Sequence, residues 1–345
     1  MILVGNKLAC MRIIFQTILT LVFFSACQHN TEELIKISGE AQGTTYHISY
    51  YSDNDFDYKA AVDSIFKKID SSLSTYLPAS IISRINRNEK DVLIDDHFIK
   101  VFNRSFEISK LTGGSFDITV APVINAWGFG FSKKEKVDST IIDSLLQFVG
   151  YEKVRLQNSS VIKELKELML DFNAIAQGYT VDVISAYLES KGLMNFFIEL
   201  GGEVRTMGVK KNKEKWKIGI DKPVEDSSGE RNLQAIIALE NKSLATSGNY
   251  RKYYVENGQK FSHIIDPKTG YPAKNNLLSV SVVAKDCMTA DAFATAFMVM
   301  GLDRSKEFLS LNKGLNLEVF FIYDEKGDMK TYTSESLKLQ MEEIY

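Results

Sequence analysis

The stretch from Ser243 to Gly301 constrains this chain most. It ends in KDCMTADAFATAFMVMG, a helix-period segment from Met288 to Met300 that is apolar except near its start. There Asp291 and Thr295 stand four residues apart, so a carboxylate and a hydroxyl share one helix face. Upstream, SLATSGNYRKYYVENGQKFSHIIDPKTGYP places one imidazole, His263, shortly before an Asp-Pro turn. Oxygen ligands on one helix face near a lone imidazole are a pattern for metal-assisted chemistry, since Mg²⁺ takes hard oxygen donors and keeps several waters. A structural reading of the same residues stands beside it. Asp291 can satisfy first-turn amides, Thr295 can bond back to its own helix, and His263 can be a packed strand-end residue.

The surroundings of that stretch read as an α+β fold: a single compact domain, mainly antiparallel sheet flanked by helices. EAQGTTYHISYY, from Glu40, is a strand entered through a Gly turn. Val62, Ile65, Phe66, Ile69 and Leu73 predict an amphipathic helix over 58–73. Helices follow after Ser80, over 96–111 ending at Gly113-Gly114, and from Asp138 or Ser139 toward Gly150. VRLQN and ELMLDFN read as strands, and AIAQGYTVDVISAYLESKG as a helix. The Asp171–Ala176 loop between the last two sits at a helix N-terminus, where anionic ligands commonly bind. NFFIELGG, EVRTMGV, KWKIGID, LQAIIALE, a hairpin turning at Asn257-Gly258, SVSVVAK and LEVFFIYD supply further strands, and a helix lies near 303–311. GGSFDITVAPVINAWGFG concentrates glycines and aromatics around Asp117, which either caps a turn or serves a site.

With 41 basic and 44 acidic residues, a net charge of −3 gives no field that would draw nucleic acid. The Lys210–Lys215 run is a solvated loop. The N-terminus speaks to compartment. From Met11, MRIIFQTILTLVFFSAC has the basic and apolar regions of a secretory signal, and Phe-Ser-Ala-Cys resembles a bacterial lipobox. The expected organisation is a signal peptide over 1–26, a tether over 27–39 lipidated at Cys27, and a catalytic domain over 40–345. A plain cleaved signal is the alternative. The expected place is the bacterial cell envelope, lipid-anchored and facing the periplasm, with the choice of membrane left open. Lipidation of Cys27 leaves Cys287 alone in the mature chain, so no disulfide is expected. No Walker loop, GxGxxG, CxxC, HExxH or GxSxG occurs.

Taken together, LSTY, GGSFDITVAPVINAWGFG, DFNAIAQGYTVD, ELGGEVRTMG, SLATSGNYRKYY, SHIIDPKTGYP and MTADAFATAFMVMG, in that order, resemble the FAD:protein FMN transferases, the ApbE family. The resemblance implies an enzyme that cleaves FAD with Mg²⁺, passes FMN to a Thr or Ser hydroxyl of an exported flavoprotein subunit, and releases AMP. It implies Mg²⁺ on the Ala174 carbonyl, Asp291 and Thr295. It implies FAD against Gln42, Tyr76, Ser115, Phe116, Asp117, Asp171, Gln177 and the Ile264-Ile265 backbone, with His263 as the base. Gln42 stands where methionine is usual, and Gln177 where many members carry lysine, which removes a charge near the phosphates. No Ser/Thr-Gly-Ala-Thr acceptor motif occurs in the chain. Two other readings of the same site are an FAD pyrophosphatase giving free FMN and AMP, and a non-catalytic flavin-binding lipoprotein.

Overall fold

Strands buried on both faces lose the alternation of half-buried strands and read as continuous apolar runs. Two such strands, β12 (Leu277–Ala284) and β13 (Glu318–Glu325), lie inside the main sheet. Val280, Val282, Val319 and Phe321 face the helices, while Val283, Phe320 and Ile322 face a second, smaller sheet. The computed structural model describes residues 32–344 apart from 55, 131–136, 224–231, 250–252 and 257–258. The expected signal peptide, Cys27 and the Asn257-Gly258 turn lie outside the described residues.

Eight antiparallel strands make the main sheet: β1 (Glu33–Ala41), β2 (Thr44–Ser52), β5 (Phe196–Leu200), β6 (Glu203–Met207), β9 (Ser243–Gly248), β12, β13 and β14 (Asp328–Thr333), in that spatial order. The smaller sheet is β15 (Met341–Glu343), β8 (Leu233–Leu239) and β7 (Trp216–Asp221). Two hairpins, β3–β4 (Val154–Gln157 and Ser160–Lys163) and β10–β11 (Tyr253–Glu256 and Gln259–Ser262), complete the described strands. Against the other face of the main sheet lie α1 (Lys59–Leu73), α2 (Ile81–Asn86), α3 (Asp96–Leu111), α6 (Ala176–Ser190), α7 (Cys287–Met300) and α8 (Leu302–Leu311). The short α4 (Ala121–Ala126) and α5 (Ser139–Leu146) pack with Ile265 in a separate cluster. This is the expected α+β architecture.

Three local readings differ. Residues 33–39, expected in the tether, form β1, paired residue for residue with β2. As an edge strand it buries Ile37 and turns Glu33 and Lys36 to water, so its composition looks like linker. ELMLDFN alternates apolar residues, and Leu168, Leu170 and Phe172 are buried, but no strand forms there. Its backbone is satisfied from elsewhere. The Asn86 carboxamide accepts from Leu170 N at 2.8 Å and donates to Leu170 O at 2.8 Å, and Asp171 N donates to Ile118 O at 2.7 Å. The strand partner of β3 is instead Ser160–Lys163. The helix from Ser139, capped by Asp138, stops at Leu146.

Candidate active site

The site is built on the crossing of α6 and α7. A Cβ at Gly178 would lie 2.5 Å from the Cys287 carbonyl oxygen and 2.8 Å from Asp291 Cβ, so only glycine lets the helices approach this closely. The approach also supplies an acceptor. Gly178 is the third residue of α6, so its amide is one of those that a helix start leaves without an intrahelical carbonyl. It donates to Asp291 Oδ2 at 3.0 Å, while the next amide, Tyr179 N, opens the helix ladder on Ile175 O. The Ala174 carbonyl precedes the cap residue Ile175 and lies outside that ladder.

Asp291 is 6% exposed. Burial pushes its carboxyl up to about 7, against the pull of the Gly178 amide. One turn on, the Thr295 hydroxyl is 3.3 Å from Ser247 Oγ of β9, which brings the sheet into the same place. A carboxylate, a hydroxyl and a carbonyl outside the helix ladder are all hard oxygen donors. Among the described residues no group of three or more His, Cys, Asp or Glu gathers as a metal site. One carboxylate with neutral oxygens is a donor set that could hold Mg²⁺, which binds few protein groups and retains waters or substrate phosphates.

The first turn of α7 is held by two further carboxylates. Asp286 caps it from its own side, accepting from Thr289 N at 2.9 Å and from the Thr289 hydroxyl. Asp182, from α6, accepts from Cys287 N and Met288 N, each at 2.8 Å. Burial pushes Asp182 up to about 7 while these amides pull it down. Neither Asp182 nor Gly178 is marked as a site residue by the sequence. Their spacing, four apart on one helix face, is the signal that pointed to them once the partner helix is known.

Around the crossing stand the remaining expected residues. Asp171 opens the turn before α6. Its Oδ1 accepts from Asn173 N at 2.7 Å, and burial raises its carboxyl. Tyr76 is 62% exposed, and partial burial, followed by the nearby Asp171 charge, raises its phenol. Gln42 and Gly43 form the tight β1–β2 turn with φ of 53° and 75°. The Gln42 carboxamide donates to Asp70 Oδ1 at 3.0 Å and Thr180 Oγ1 at 3.1 Å, which pins this turn to α1 and α6. Gln177 Nε2 sits 3.5 Å from the Gln42 carbonyl, and a Cβ on Gly201 would be 3.4 Å from it. Gln42, Gln177 and the Gly201-Gly202 corner thus meet.

The Ser115–Asp117 segment is turned into the fold. Phe116 is in the core, and Ser115 Oγ accepts from Arg304 at 3.4 Å. Asp117 Oδ1 accepts from Thr119 N at 2.8 Å and from the Thr119 hydroxyl at 2.6 Å, and Oδ2 from Tyr151 N at 2.9 Å. These bonds cap the turn and fix the Asp117 carboxylate in place. His263 follows β11, half-buried, its ring 6.3 Å from that of Phe129. Ile265 bridges Pro272, and Ala273 N donates to Ile264 O at 2.8 Å, closing the Asp266–Gly270 turn. Trp127 Nε1 donates to Gly270 O at 2.8 Å and holds that turn against α4.

An antiparallel α+β fold carrying oxygen donors at a helix crossing defines the class structurally; comparison supplies the family. The chain belongs to the ApbE family, whose family model matches residues 42–321. It is 35% identical over 328 residues to the FAD:protein FMN transferase of Haemophilus influenzae, covering 91% of this chain and 93% of that one. With the protein of the same name from Vibrio cholerae it shares 33% over 327 residues, covering 92% and 96%. Among solved structures, the flavin transferase ApbE from Vibrio cholerae superposes with a TM-score of 0.79 at 32% identity, covering 90% of this chain and 99% of that chain. The apo flavinyl transferase ApbE of Pseudomonas stutzeri gives 0.80 at 27%, covering 90% and 97%.

Proposed function

We propose that this protein is an FAD:protein FMN transferase that moves FMN from FAD to a Thr or Ser hydroxyl of an exported flavoprotein subunit and releases AMP. Flavin transfer rests on relatives of that name that match over nine-tenths of this chain. The observation that carries the site is the buried Asp291 carboxylate, held at the start of α6 by the Gly178 amide with Thr295 one turn on. It points to Asp291, Thr295 and the Ala174 carbonyl as the residues that would hold Mg²⁺, which when bound would neutralise charge on the FAD pyrophosphate. Gln42, Gln177, Tyr76, Asp171, the Ser115–Asp117 segment and the Ile264-Ile265 backbone are assigned to FAD. Gln177 offers hydrogen bonding there without charge.

The transfer balances as one displacement. The acceptor hydroxyl oxygen bonds to the FMN phosphorus, the phosphorus–oxygen bond to AMP breaks, and AMP leaves with the bridging oxygen. His263 takes the hydroxyl proton, a role an imidazole can fill near neutrality. In this chemistry the protein mainly positions the reactants. We assign the protein to the bacterial cell envelope, anchored by lipid on Cys27.

The test is a mixture of purified protein, FAD, Mg²⁺ and an acceptor domain, read by intact mass. A covalent FMN adduct on the acceptor is the expected result, and its absence sinks the proposal. AMP released equally fast without acceptor would make the protein a pyrophosphatase instead.

A further inference from the structure

Asp182 accepts from two of the amides that a helix start leaves unpaired, and does so from another helix. It is on α6, 105 and 106 residues from the amides it binds, and both its oxygens are used, on Cys287 N and Met288 N at 2.8 Å. Four residues earlier on α6, the Gly178 amide takes Asp291, likewise about a turn into α7. The two helices are therefore clasped at two points, with polarity reversed between them. At the first, a carboxylate of α6 holds amides of α7, and at the second a carboxylate of α7 takes an amide of α6. The Gly178 contact with the Cys287 carbonyl leaves no room for sliding between the points. Local helix capping is already provided by Asp286 on Thr289, so α7 does not need Asp182 in order to start. What Asp182 adds is registry between α7 and α6.

We propose that Asp182 is a positioning residue, whose grip on the first two amides of α7 sets where Asp291 and Thr295 stand relative to the Ala174 carbonyl. This rests on those three groups being the cation ligands. Partners that orient metal ligands typically change affinity by about 10- to 100-fold when removed. Asn at 182 keeps the shape but turns an amide group toward one of the two helix N–H donors, so one of the bonds is lost.

The experiment uses the full chain with FAD bound and Mn²⁺ as the probe for Mg²⁺, titrated by electron paramagnetic resonance. Asp182→Asn is expected to weaken Mn²⁺ about tenfold. It should raise the Mg²⁺ needed for half-maximal transfer by the same factor, with kcat at saturating Mg²⁺ close to that of the parent. Asp286→Ala, which removes the cap of the same helix end from its own side, should lower Tm and leave Mn²⁺ affinity alone. If Asp182→Asn does not fold, Cys287→Pro removes one donor from the other partner at the first helical position, behind an Asp286 that is already extended, and should weaken Mn²⁺ in the same way. Parent-like Mn²⁺ affinity in Asp182→Asn, or in Cys287→Pro, overturns the inference while Asp291→Ala still abolishes binding. Parent-like binding in Asp291→Ala would instead remove the ligand assignment, and the inference with it.

Discussion

Helices α3 and α7 both start at an aspartate cap, yet they carry different information. Asp95 accepts from Phe98 N at 2.8 Å and opens a helix with one buried face, Phe98, Val101, Phe102 and Ile108, and charged residues toward water. Asp286 opens a helix with Thr289, Ala290, Asp291, Ala292, Phe293, Ala294, Ala296, Phe297 and Met298 all buried. Around it Phe293, Phe297 and Phe308 pack with ring centroids 5.6 Å apart. A polar residue on α3 can face solvent at little cost. On α7 a carboxylate must be desolvated, at a cost of several kcal/mol when unpaired. Position alone therefore marks Asp291 as a residue kept for something other than stability.

The strongest way to break this contrast is Asp291→Ala. If the carboxylate serves a cation, flavin transfer should fall by about 10³-fold. Stability without metal should hold or rise, because a desolvated charge is removed. Activity assays and thermal melts in EDTA read the two effects separately, and a large drop in Tm with transfer intact would return Asp291 to a structural role. Gly178→Ala comes next. The added carbon meets the Cys287 carbonyl at 2.5 Å, so the helices must part. Overpacking of this kind costs about 1–3 kcal/mol. Displacing the ligands by a fraction of an ångström should lower transfer by about 10- to 100-fold. An alanine variant with parent activity would mean the close crossing is not needed.

How much of this was legible differs along the same line. Helices such as α1 and α3 were readable to within a residue or two because each buries one stripe, and a stripe leaves a periodic trace. The Asp291–Thr295 pair was visible for the opposite reason, as polar residues in an apolar segment. The 167–173 stretch misled because period-2 burial also arises in an extended segment satisfied by a side chain, here Asn86, with no neighbouring strand. Strand β1 was hidden by its edge position. Asp182 and Gly178 were invisible as site residues because their function is pairwise. Nothing in AQGYTVD says that a helix more than a hundred residues later will bring its N-terminus to them.

A smaller effect sharpens the comparison through pH. Burial raises Asp70, Asp117, Asp171, Asp182 and Asp291 above the ordinary carboxylate range, the last two to about 7. A carboxyl raised on folding binds its proton more tightly in the folded chain. What these groups contribute to stability is then fully present below about pH 4 and is lost as pH rises toward about 7. Metal-free protein should accordingly melt lower at pH 8 than at pH 5.5, by about 4 °C. Mg²⁺ should recover part of that loss at pH 8 and little of it at pH 5.5, where Asp291 holds its proton. A melting temperature that rises with pH in EDTA would contradict the assigned burial of these groups.

The least effect belongs to α3. Asp95→Ala removes the cap on Phe98 N and the acceptor of the Ser72 hydroxyl at 2.7 Å, which should cost about 1–2 kcal/mol by chemical denaturation. Helix α3 does touch the crossing, since His97 Nδ1 lies 2.8 Å from the Tyr179 hydroxyl of α6 and Arg104 donates to the Thr289 hydroxyl of α7 at 2.8 Å. Asp95 makes neither bond, so transfer rate and Mg²⁺ dependence should stay at the parent values once the protein is folded. Loss of a carboxylate's grip on first-turn amides would then have separate readouts, at Asp95 seen only in stability and at Asp182 in cation affinity. If Asp95→Ala shifts the Mg²⁺ dependence as far as Asp182→Asn does, the crossing is not a local clasp, and register in α7 is set by the packing of the whole helical layer.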